Sequence, residues 1–278
     1  MQTFDLDSNS SIYHSDLHLP ENVNPVLTSY LKLIERDPSQ RVAGLYLHGS
    51  LALGVFCPGQ SDVDFIAVLT HAANQADFDH LEQVHRHVAS DYPSCAMEGS
   101  YLQWHDLGLP ARQINPYPCY HDGRMYRASR HDINPITWWM LKHRALTVFG
   151  PEPQSLGFAI NWVDVRAYMI TNLHTYWTVF ASPTRSPVRF LWLLTDSGVQ
   201  WAVLGISRLL YGLREGDMIS KSQAGEYALT QVPQKWHPLV HEALNIQRGT
   251  GLRTYRSAWP RARDTAAYVR YIIAYATG

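Results

Sequence analysis

Apolar positions in the first half of the chain alternate between two periods. Val42 to Leu47 (VAGLYL) and Asp62 to Leu69 (DVDFIAVL) are short, nearly continuous apolar runs of the kind that buried strands present. Helical spacing predicts a helix from about Val26 to Arg36 and another over Gln75 to Ala89, with Phe78, Leu81, Val84 and Val88 on one face. A third helix is expected from Asn134 to Ala145, with Asn134 as its cap and Pro135 in its first turn. Between these lies a strand carrying Glu98, and then a stretch rich in Pro, Tyr and His, from about His105 to Asp132, that reads as a long loop. Past Gly150-Pro151-Glu152-Pro153 the pattern is helical throughout, over about Trp162–Phe180, Val188–Leu194, Gln200–Leu213, Gln223–Thr230, Pro238–Gln247 and Ala258–Ala276. The expected fold is α+β: a small mixed-sheet domain over residues 1–150, then an all-helical domain over 151–278.

The first two strands bracket the most informative chemistry. Gly49 lets the backbone approach a ligand closely, Ser50 adds a hydroxyl, and Leu51-Ala52-Leu53 can begin a short helix whose amides face an anion. Eleven residues separate Ser50 from Asp62-Val63-Asp64. Alternation along a strand would put both carboxylates on one face, about 7 Å apart, where they repel unless a cation lies between them. Oxygen-only donors favour Mg²⁺.

An Asp-x-Asp sequence is weak evidence alone, because it occurs three times here. Asp5-Leu6-Asp7 lies in a polar stretch and reads as a solvated tail. Asp77-Phe78-Asp79 lies on a helical pattern, which would make its acids diverge and serve the helix start. Only Asp62 and Asp64 combine strand placement with an upstream Gly-Ser. Glu98, in the run Cys95-Ala96-Met97-Glu98, is by itself either a third acid for this cluster or a strand-edge charge.

The segment LHGSLALGVFCPGQSDVDFIAVL resembles the signature of the DNA polymerase β-like nucleotidyltransferases. More closely, it is similar to that of the aminoglycoside adenylyltransferases acting on streptomycin and spectinomycin. Ala145 to Pro151 resembles the domain-joining segment of that family, and Val203 to Ile219 with Lys221 its helical domain. The resemblance implies a polymerase β-like nucleotidyltransferase domain that moves AMP from ATP to an antibiotic hydroxyl and releases pyrophosphate, with two Mg²⁺ ions. It implies Asp62, Asp64 and Glu98 as metal ligands, with Glu98 also the catalytic base. Gly49, Ser50, Ser61, Arg208 and Lys221 would meet the nucleotide phosphates, and catalysis would require the two domains to close around ATP. The family's acidic drug-binding loop is reduced in this chain to one acid, Asp196, assigned to a cationic acceptor. Alternatives are the same chemistry on another small-molecule or protein hydroxyl, and a non-catalytic nucleotide-binding module.

Composition narrows the surroundings. Residues 1–150 carry 10 Lys/Arg and 16 Asp/Glu, whereas residues 151–278 carry 13 and 8, so a basic second half suits a triphosphate. The formal net charge of −1 makes nucleic acid a poor partner. Neither a membrane span nor a signal peptide is indicated; the three cysteines Cys57, Cys95 and Cys119 suggest reduced thiols in a cytoplasm and no zinc site, and a monomer is expected. His237 and His241 lack the Glu of a zinc-protease motif, and His85 and His87 read as surface residues of the Gln75 helix.

Overall fold

The computed structural model describes residues 17–36, 41–130, 132–182 and 184–278, so the Asp5-Leu6-Asp7 sequence lies outside the described residues. The chain divides into two compact units, Met1–Ala159 and Ile160–Gly278. This boundary falls later than the Gly150–Pro153 segment that suggested it. The Lys142 ammonium donates to the Gln154 and Leu156 carbonyls, and Phe158 packs against Trp138, so these residues belong with the first unit.

The first unit is built on a six-stranded sheet of β1 (Val42–Leu47), β2 (Val63–Leu69), β3 (Met97–Gln103), β4 (Tyr117–His121), β5 (Arg124–Ser129) and β6 (Leu146–Phe149). Its order is β5-β4-β3-β2-β1-β6, and among the described residues only β2 and β3 pair in parallel. A parallel pair needs a crossover, which α3 (Gln75–Asp91) supplies. Asn74 and Asp77 form a capping box at its start, so Asp77 is a helix-start acid, and it also pairs with Arg41. Helix α1 (Val23–Glu35) packs with α3 against the sheet and buries Val26 and Tyr30 beside Phe65, Val84 and Tyr101.

Two expectations for this unit are corrected. The segment after β3 is not a plain loop: β4 and β5 form a hairpin around Asp122-Gly123, with φ of 49° and 70°. An Asp-Gly pair supplies the two positive φ angles that such a turn requires. His85 is not a surface residue but is 1% exposed, because it shares the helix face of Phe78, Leu81 and Val88. Its Nε2 lies 2.6 Å from the Tyr101 hydroxyl, which is 2.9 Å from that of Tyr30.

In the second unit α8 (Asp196–Glu215) buries Val199, Val203, Ile206 and Leu210 and packs against α5 (Trp162–Asn172), α9 (Lys221–Gln231), α10 (His237–Gln247) and α11 (Ala258–Thr277). Thr195 caps it and Gly216, at φ +72°, ends it. No described helix is long and apolar enough to cross a membrane.

Candidate active site

The end of β1 passes through His48 into a single helical turn, α2 (Gly49–Ala52). The His48 backbone N–H donates to the Asp64 carbonyl at 2.9 Å, which ties this turn to the start of β2. Gly49 has φ +59°, and a Cβ there would meet the Asp64 carboxylate, so glycine is required twice over. Beside it the Ser50 hydroxyl is buried and has no hydrogen-bond partner among the described residues. A buried hydroxyl left unpaired is costly, and an incoming polar group or a water would relieve that cost.

Asp64 on β2 is the register partner of Glu98 on β3, so two half-buried carboxylates stand side by side on parallel strands. Asp62, expected inside the strand, precedes it and is exposed. Pairing begins only where the Val63 N–H reaches the Ala96 carbonyl at 2.7 Å. Burial raises the pKa of Glu98, a bond from the Asp122 N–H opposes that, and the charges of Asp62 and Asp122 raise it further. Asp62 and Asp122 thus share an electrostatic neighbourhood with Glu98. Among the described residues no three metal-ligating side chains converge on a ready-made ion site. Magnesium ordinarily takes one or two carboxylates and completes its shell with water and substrate phosphate.

The cleft over these strands is also lined by His48, Ser100, His121 and Asp132, which sequence reasoning passed over. Burial lowers the pKa of His48. The Ser61 hydroxyl accepts the Cys57 N–H at 3.1 Å within the loop before Asp62.

In the second unit the Arg208 Nε donates to the Ile219 carbonyl at 2.9 Å, two residues before Lys221, the first residue of α9. Arg208 and Lys221 therefore serve one α8–α9 corner. Asp196, at the start of α8, is held by two arginines. Its Oδ1 accepts from Arg261 at 2.8 Å and its Oδ2 from Arg253 at 2.5 Å, and hydrogen bonding to these arginines holds its pKa down. Arg261 also bonds Glu242, which is fully buried, at 3.0 Å. Asp196, Glu242, Arg253 and Arg261 thus form one ion-pair cluster.

The family comparisons bear on both units. Residues 29–93 match the model of a nucleotidyltransferase domain, which spans Gly49, Ser50, Asp62 and Asp64. Residues 194–273 match that of the aminoglycoside adenylyltransferase C-terminal domain, which spans Asp196, Arg208 and Lys221. The chain is a nucleotidyltransferase of the aminoglycoside adenylyltransferase type. Among solved structures, its fold resembles that of spectinomycin adenyltransferase AAD(9) from Enterococcus faecialis, described with ATP and spectinomycin. The TM-score is 0.66 at 14% identity, covering 92% of this adenylyltransferase-type chain and 99% of the other. Comparison with curated protein sequences returned no match.

Proposed function

We propose that the chain transfers AMP from ATP to a hydroxyl of an aminocyclitol or aminoglycoside of the spectinomycin and streptomycin type, releasing pyrophosphate. The observation that carries this reading is the juxtaposition of Asp64 and Glu98 on adjacent strands, beside a glycine turn whose Ser50 hydroxyl is buried without a partner. An anion at that turn would satisfy Ser50, and the hard oxygen donors of Asp62, Asp64 and Glu98 fit Mg²⁺. Bound magnesium would neutralise phosphate charge and make the acceptor hydroxyl more acidic.

The side chains of this protein would do the remaining work. Asp62 and Asp64 would hold the metal, and Ser50 and Ser61 would donate to phosphate oxygens. Glu98 would take the acceptor's proton as its oxygen attacks in line and pyrophosphate leaves. Arg208 and Lys221 would add positive charge toward the triphosphate. The place of Lys221 supports that role, since a cation in the first turn of α9 opposes the helix dipole and gains from a bound anion.

Asp196 favours a second reading of the acceptor. With both oxygens bonded to arginines, it offers little to a polycation. The same transfer to a less cationic hydroxyl compound is the alternative. A pyrophosphate-release screen with ATP and Mg²⁺, run over spectinomycin, streptomycin and unrelated alcohols, tests both. Release with an antibiotic supports the first reading, release only with another alcohol the second, and ATP binding without release for any acceptor would overturn the assignment.

A further inference from the structure

The last register contacts between β3 and β4 pair Ser100 with Cys119 and Gly99 with Tyr120. Glu98 therefore lies one position beyond the paired region, where β4 runs on through His121 into the hairpin turn. Here Asp122 and Gly123 adopt positive φ, and the Asp122 backbone N–H donates to Glu98 Oε1 at 2.8 Å. We propose that this turn amide is a positioning group for Glu98, holding Oε1 so that Oε2 faces the acceptor and takes its proton.

The proposal rests on reading Glu98 as the base. The step it serves moves the hydroxyl proton to Oε2 while the acceptor oxygen bonds to the α-phosphorus, and the α–β bridging oxygen leaves with pyrophosphate. A glutamate has three rotatable side-chain bonds, and in most of its rotamers it would miss the acceptor. Fixing one oxygen before substrate arrives removes that entropy from the reaction barrier.

The hairpin is anchored well enough to serve. On β4, Tyr120 stacks on the buried His85, with ring centroids 4.0 Å apart and planes 8° from parallel. On β5, the Arg127 guanidinium lies 4.3 Å over the Phe78 ring and donates to Gln75, so α3 grips this strand too. Across the turn His121 stacks on Tyr126 at 4.3 Å. The amide position is thus set by two strands held to one helix.

Two measurements test the proposal. Replacing the Asp122 amide by an ester, through incorporation of the α-hydroxy acid, deletes the N–H and keeps the side chain. With ATP and spectinomycin or streptomycin, whichever wild type uses better, kcat should fall roughly tenfold while KM for ATP and the melting temperature hold. Inserting one glycine between Asp122 and Gly123 moves the amide away and should act alike, which covers the case where the ester variant does not fold. Unchanged kcat in a folded variant overturns the proposal. Independently of any acceptor, Asp122 amide hydrogen exchange should be roughly tenfold or more faster in Glu98→Ala than in wild type, and equal rates contradict the bond. Full turnover by Glu98→Gln would instead remove the base assignment, a failure distinct from that of the turn.

Discussion

A methyl group on Gly49 would lie 1.8 Å from the Oδ2 of Asp64. The Gly49 turn and the Asp64 carboxylate are therefore packed too closely for any side chain at position 49. Gly49→Ala should displace the Asp64 carboxylate and lower kcat roughly 100-fold, the scale expected for a misplacement of about 1 Å. Adding the strain of φ +59° should cost a further 1–2 kcal/mol or so of stability. Steady-state kinetics beside urea unfolding checks both parts.

Ser50 separates function from stability in the opposite sense. Because its hydroxyl is buried without a partner, Ser50→Ala removes an unsatisfied group and should leave the melting temperature unchanged or raised. If phosphate supplies the missing partner, the same variant should bind ATP with Mg²⁺ roughly tenfold more weakly by calorimetry.

His85 predicts a pH dependence of folding. Burial lowers its pKa from 6.5 to about 3 in the folded protein. Between those values the unfolded chain binds the proton and the folded chain does not, so stability falls as pH falls through this window. The slope from this one residue is at most about 1.4 kcal/mol per pH unit. Denaturant midpoints measured from pH 7 to pH 4 should decline less in His85→Phe than in wild type.

The arginine cluster of the second unit should appear in stability before it appears in acceptor binding. Arg261→Met leaves Glu242 fully buried without its closest cation and should cost about 3–5 kcal/mol. Asp196 is 42% exposed, so Asp196→Asn should cost no more than about 1 kcal/mol. If Asp196 acts only within this cluster, its replacement leaves KM for streptomycin and for ATP unchanged. A rise for streptomycin alone would return the residue to the acceptor site.

The strands flanking the Gly-Ser turn were legible in the sequence because both faces of β1 and β2 are apolar, and the all-helical second unit was legible from its spacing. The β4–β5 hairpin was not, since Pro118 interrupts its first strand and Arg124 and Arg127 make its second mostly exposed. The Asp122-Gly123 dipeptide was the signal available. Alternation along a strand could not tell where pairing starts, which is why Asp62 falls just outside β2. The fate of Asp196 depends on Arg253 and Arg261, 57 and 65 residues away, and no local pattern encodes such contacts. His85 was misplaced because its polarity outweighed a helix face that already ran through it.

In the proposed reaction the Asp64 and Glu98 centre acts on the α-phosphorus of ATP. ATP labelled with ³²P at either the α or the γ position, incubated with Mg²⁺, enzyme and spectinomycin or streptomycin, tests it directly. The α-label should pass to the antibiotic while the γ-label leaves as pyrophosphate, and Asp64→Asn should abolish both. Transfer of γ-label to the antibiotic, or transfer of α-label undiminished in Asp64→Asn, would contradict it.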